Sequence, residues 1–331
     1  MTGAPDLAGM RVLVTGGLGF IGSNLAHHCV SLGATVTVTD TLDPRCGGNR
    51  ANLAGIAERV RSVSIDIRDG DASAALVRES DVIFNCAAFT SHAQSMSDPH
   101  HAVAVNCDGT VTLLDAVRRA GRPIRMIQIG TSTQIGRMLV EPITETHPEF
   151  PLDMYSASKS AAEKVVLVYG EAYGIPVTVV RLANVYGPRA NIRSADFGFL
   201  NYFIGRALRG DEITVFGSGD QRRNVTYVDD AVDALVKVAL SDRCDGEVIF
   251  ATSDEHLTVR ELGERIAREF GSAAVRSVPW PESRRAIEVG HQVVSAAKAK
   301  ALIGWTATTS LSAGLLATRG YYAGRLPEYL G

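Results

Sequence analysis

The chain has 331 residues, 46% of them hydrophobic and 21% charged, a globular balance long enough for one large or two modest domains. A formal net charge of −3 argues against a surface for nucleic acid or anionic membrane, and the longest apolar runs are strand-sized, so neither partner is expected. The cysteines at 29, 46, 86, 107 and 244 form no CxxC pair and no metal-ligand spacing, and the start shows no secretory pattern; reduced thiols in a cytoplasm and no metal are expected.

In chain order, "RVLVT" (11–15), "TVTVT" (35–39), "VRSVSI" (60–65), "DVIFNCA" (81–87), "IRMIQIG" (124–130) and "PVTVVRL" (176–182) read as strands. The last three are almost continuously apolar, as in a parallel sheet buried on both faces. Helical patterns such as 21–33 and 109–121 separate them. This alternation predicts an α/β fold, a doubly wound parallel Rossmann sheet. After "NVYGP" (184–188) the rhythm changes, and helices are expected near 197–209, 258–270 and 308–323. The division read from this is a dinucleotide-binding domain over 9–188, with 224–250 returning to it. A smaller C-terminal α/β lobe for substrate takes 189–223 and 251–331.

"VTGGLGFIGSNL" joins the first strand to the first helix. Gly16, Gly19 and Gly22, with Phe20 and Ile21 between them, let the backbone turn tightly and approach a pyrophosphate at a helix N-terminus. The second strand ends at Asp40, 40 − 22 = 18 residues past the last glycine and near the ~20 expected for a carboxylate holding the ribose hydroxyls. A carboxylate there repels a 2′-phosphate, which favours NAD over NADP; Arg45 is the one nearby residue pulling the other way. After the third strand, Asp66 and Ile67 are placed to cover the adenine.

"MYSASK" (154–159) sets Tyr155 and Lys159 four residues apart, one above the other on a helix face. A free phenol, with a pKa near 10, is a poor base at neutral pH, and a neighbouring ammonium would lower that value. Small residues between them leave room for cofactor and substrate. Behind a glycine-loop dinucleotide site, the pair reads as a proton-transfer site that also holds the nicotinamide ribose.

"TGGLGFIG", "NCAAFTSHAQSMSDP", "NCDGT", "GTSTQIG", "YSASK", "RLANVYGP", "GSGDQRRNVTYVDDA" and "LIGW" follow one another over nearly the whole chain. Together they resemble the extended short-chain dehydrogenase/reductase superfamily, in particular its NAD-dependent nucleotide-sugar epimerases and dehydratases, of the UDP-glucose 4-epimerase type. The resemblance implies a third catalytic member, Ser132, with Thr131 and Thr133 as competitors for that position. It places Ala87 and Ala88 along the NAD, and Ser91, His92, Ser132 and Thr133 beside the hexose. Asn184 would touch the sugar or its phosphates. Arg223 would bind the diphosphate, with Arg284 or Arg285 as a second clamp. His92 is taken as a sugar or loop contact, not as the base.

One departure bears on the reaction. The related 4,6-dehydratases carry Thr-Asp-Glu where this chain is read as Ser132, Thr133 and Gln134, and a hydroxyl and an amide do not readily eliminate water. The resemblance therefore implies a 4-epimerase acting on a UDP- or dTDP-hexose, with a 4,6- or 5,6-dehydratase and a net oxidoreductase as alternatives. Gly136 and Arg137 depart further from the family pattern. A homodimer pairing through 104–120 and 155–172 is also implied.

Overall fold

The computed structural model describes residues 6–271 and 274–330. Six strands fall where the sequence pattern puts them: β1 (Arg11–Thr15), β2 (Thr35–Thr39), β3 (Val60–Val63), β4 (Val82–Asn85), β5 (Arg125–Thr131) and β6 (Val177–Leu182). With Glu247–Ala251 they form one seven-stranded sheet in the order β3-β2-β1-β4-β5-β6 and then Glu247–Ala251, every neighbouring pair parallel. Helices cover both faces, because strands such as β4 and β6 are buried along their whole length and leave no face for water. The order reverses between β1 and β4. At such a switch point the two flanking helices leave on opposite faces and open a crevice beyond the strands' carboxyl ends.

A row of buried polar side chains crosses the sheet just below that crevice. Thr15 Oγ1 donates to Asn85 Oδ1 at 2.6 Å, and Asn85 Nδ2 donates to Gln128 Oε1 at 2.8 Å. Buried amides and hydroxyls are stable only when paired, so this row fixes β1, β4 and β5 against one another where the site begins.

The helix Val228–Ala239 packs on the Phe20–Ser31 helix through a shared core that includes Leu25, Cys29, Ala231 and Leu235. Trp305 is fully buried against it and donates its indole N–H to the Asp230 carbonyl at 3.2 Å. The remaining C-terminal elements build short sheets beside the crevice. Ile213–Phe216 pairs in parallel with Val275–Val278, and Arg222–Asn224 pairs antiparallel with His256–Thr258. The helices Phe199–Leu208, Val259–Phe270 and Leu311–Tyr322 lie within the segments read as helical.

Candidate active site

A cavity of about 550 Å³ occupies the crevice, within the usual size range for small-molecule sites. Gly16, Gly19, Phe20, Ile21, Gly22 and Asp40 line it from the ends of β1 and β2. Gly16 has φ +61°, and a Cβ there would lie 2.8 Å from the Ala87 nitrogen. A Cβ on Gly22 would lie 2.3 Å from the Gly16 carbonyl oxygen, so a side chain at either position forces the turn open. No side chain caps the Phe20–Ser31 helix, which leaves its first N–H groups for an anion. Asp40 accepts from the Leu42 amide at 2.8 Å and the Leu18 amide at 3.1 Å. Burial raises its pKa against the pull of those bonds. A bare helix N-terminus behind a side-chain-free turn, with a carboxylate at the end of β2, fits a dinucleotide.

The Met154–Tyr173 helix carries the reactive pair. Asp153 caps it, accepting from the Ser156 amide at 2.8 Å, and a face of small residues lets the helix lie close to the strand ends. Asn106 locks the helix to the loop after β4: its amide donates to Ser158 Oγ at 2.9 Å and exchanges bonds with the Phe89 backbone. Tyr155 and Lys159 both line the cavity. The expected depression of the phenol by the lysine is not what the structure shows. Burial pushes Tyr155 up to about 12, partly relieved by a hydrogen bond from Thr131. Burial also pushes Lys159, only 3% exposed, down from 10.5 to about 8. Desolvation penalises the charged form of each group and is the largest cause of both shifts.

Thr131, at the last position of β5, lines the cavity with Tyr155, and its hydroxyl is 3.1 Å from Thr133 Oγ1. Ser132 lines the cavity but donates to Gln292 Oε1 at 3.2 Å. β5 runs through Thr131 and the turn Ser132–Ile135 begins after it, and Thr131, Ser132 and Thr133 all stand on the cavity wall. Gln134 is buried and spends its amide on Glu163 at 2.7 Å, part of an ion cluster with the fully buried Arg181.

Ala88, His92, Thr133, Asn184, Arg223 and Arg284 also line the cavity. Asn184 sits at φ +40°, a strained conformation for a side chain, held by its amide bond to the Asn224 carbonyl at 2.8 Å. Arg223 pairs with Glu288 and Arg284 with Asp196, each at 2.8 Å. Other expected residues are not among those lining this cavity. Asp66 is held by Arg68 at 2.6 Å, and Ile67 is buried against Gly109. The Ala87 amide donates to Thr15 Oγ1, and Ser91 caps the helix His92–Ser97. Arg285 faces an adjoining cavity shared with Arg137 and His291. Arg45 is engaged by Asp43 and Asp98 at the rim.

The sequence reading missed the aromatic wall. Phe197, Phe199, Tyr202, Phe203, Phe216 and Trp280 line the far end, with the Phe216 and Trp280 rings 5.2 Å apart. The run "DFGFLNYF" (196–203) was its only local signal. Cys46 and Gly47, from the glycine-rich loop after β2, also line the cavity.

Residues 12–249 match the model of the NAD dependent epimerase/dehydratase family, and the chain belongs to that family, with NAD as its cofactor. It is 36% identical to the low-salt glycan biosynthesis protein Agl12 of Haloferax volcanii, over 95% of this chain and 99% of that one. It is 34% identical to a dTDP-glucose 4,6-dehydratase of Mycolicibacterium smegmatis over 69% and 68% of the two chains. The structure of a UDP-glucose 4-epimerase from Thermotoga maritima with UDP-glucose superposes with a TM-score of 0.87 at 29% identity, covering 96% of this chain and 100% of that one. The relatives divide among epimerases, dehydratases and decarboxylases of nucleotide sugars.

The depressed Lys159 has a measurable consequence. Above about pH 8 the folded protein holds a neutral amine there, while the unfolded chain keeps its proton up to 10.5, so the burden of burying the charge is full below the lower value and lifts as pH rises. The stability of the parent relative to Lys159→Met should rise by about 2 kcal/mol between roughly pH 7.5 and roughly pH 9.5 in urea unfolding; a flat difference would show that the ammonium is not buried.

Proposed function

We propose that the chain is a nucleotide-sugar 4-epimerase that acts on a UDP- or dTDP-hexose by transient oxidation at C4. The observation carrying this reading is that the stretch facing Tyr155 (Thr131, Ser132, Thr133 and Gln134) holds no carboxylate. Elimination of water from a 4-keto sugar needs an acid that protonates the departing hydroxyl, and no carboxylic acid stands at this turn to do so; oxidation and re-reduction need none.

NAD, when bound, accepts the hydride and returns it. The protein's own groups handle the proton and the orientation. Tyr155 takes the proton of the C4 hydroxyl, and the Thr131 hydrogen bond stabilises the phenolate that forms. A phenol pushed up to about 12 is a weak acid that holds its proton at neutral pH, so forming the phenolate that takes the proton of O4 is the demanding half of the cycle. Arg223 and Arg284, each already oriented by a carboxylate, are the diphosphate contacts, and Phe216 with Trp280 is the platform for the base.

We infer a cytoplasmic homodimer as the working form. No helix among the described residues is long and apolar enough to cross a membrane, and the five cysteines are unpaired. Val168 and Tyr173 stand 61% and 54% exposed on the outer face of the Met154–Tyr173 helix. Light scattering should give the mass of two chains, and a single-chain mass would refute the dimer.

Incubation with a panel of UDP- and dTDP-hexoses should give a product of unchanged mass with C4 inverted, and no stoichiometric build-up of reduced nicotinamide. Loss of one water would make the enzyme a dehydratase, and a stoichiometric absorbance change would make it a net oxidoreductase. Removing the hydroxyl that assists Tyr155 should lower turnover by about 10²-fold, and Ser132→Ala measured beside Thr131→Val identifies which of the two supplies it.

A further inference from the structure

His92 and Asp153 form a pair that the C4 chemistry leaves unused. His92 Nδ1 lies 2.8 Å from Asp153 Oδ2. Asp153 is 1% exposed at its side chain and also accepts from the Ser156 amide at 2.8 Å and the Ser156 hydroxyl at 3.0 Å. Burial pushes its carboxyl up, but those bonds outweigh it and hold the pKa below the ordinary carboxylate value. An ionised carboxylate only accepts, so Nδ1 carries a proton, and in the neutral imidazole Nε2 is the acceptor.

The imidazole stands edge-on to the Tyr155 ring, with centroids 4.9 Å apart at 83°, on the wall of the same cavity. Among the described residues none hydrogen-bonds Nε2. The other carboxylates on that wall are committed: Asp40 to two backbone amides, Asp196 to Arg284 and Glu288 to Arg223. A histidine oriented by a buried carboxylate, with its ring against Tyr155 on the cavity wall, has the parts of a general base.

We propose that His92, oriented by Asp153, is a second acid/base group that removes and returns a C–H proton on the carbon next to the sugar's transient 4-ketone. The proposal rests on the C4 oxidation above, which leaves a ketone and so acidifies the hydrogens at C3 and C5. The C–H electron pair becomes the C=C bond, the carbonyl pair moves onto O4, and the proton passes to Nε2. Tyr155, protonated at this stage, donates to the enolate oxygen. Reversal returns the proton to carbon, on the same face or the opposite one, before C4 is reduced. NAD is the only oxidant involved. The substrate is thereby narrowed to nucleotide hexoses bearing a hydrogen on that neighbouring carbon, and inversion there becomes available to the enzyme.

The test is turnover of the same nucleotide-sugar panel in D2O with the NAD-loaded enzyme. C4 configuration is read by NMR, and carbon-bound deuterium by mass and NMR in recovered substrate and product. The expected result is C4 inversion together with one deuterium at C3 or C5. His92→Gln should slow that incorporation by about 10²-fold and lower the ratio of incorporation to C4 inversion. Asp153→Asn, which can still cap the helix, should also lower incorporation more than inversion. Inversion without deuterium, or His92→Gln incorporating at the parent rate, overturns the dyad and leaves the epimerase reading standing. Deuterium without inversion supports the dyad and overturns that reading, and neither signal with any sugar in the panel overturns both.

Discussion

A phenol and an ammonium share one helix face on the cavity wall, Tyr155 half-buried and Lys159 buried, and the site is arranged around the consequences. Burial drives Tyr155 up to about 12 and Lys159 down to about 8, so both are biased toward neutrality. Groups biased in this way change charge when a neighbour supplies the compensating interaction, which suits a proton donor and acceptor working on an alcohol. The phenol has such a neighbour in Thr131. The lysine has Glu163 and Cys86 acting on it, and Glu163 is itself held by Arg181 and Gln134 in the layer beneath.

The fold brings these groups together through strand ends. Thr131 closes β5, Cys86 follows β4, the glycine turn follows β1, and Asn184 follows β6. A parallel sheet points all those ends the same way, and the reversal between β1 and β4 opens space above them. The polar row through Thr15, Asn85 and Gln128 sets the spacing of these strands at the edge where cofactor and sugar must meet.

Much of this was legible from residue order. Strand–helix alternation and buried apolar runs pointed to the sheet, and the glycines at 16, 19 and 22 marked the turn where a Cβ does not fit. Tyr155 and Lys159 follow from helical spacing. What escaped were properties set by direction and by distant partners. Thr131 ends β5 and Ser132 opens the turn after it, both on the cavity wall, and residue order alone does not separate them. The electrostatic expectation for Tyr155 failed because sequence shows the neighbour but not the depth of burial. Asp66 has a local partner in Arg68, and Ser91 caps the helix that follows it. The aromatic wall joins residues 197–203, 216 and 280, which only the folded lobe brings together.

The most direct test of the account is the turnover of Tyr155→Phe, which removes one oxygen and leaves the ring's packing against His92 intact. With its active nucleotide sugar, the variant should bind NAD as the parent does and lose turnover by at least about 10²-fold. Turnover near the parent's, with NAD still bound, would contradict the assignment of this phenol to the reacting hydroxyl.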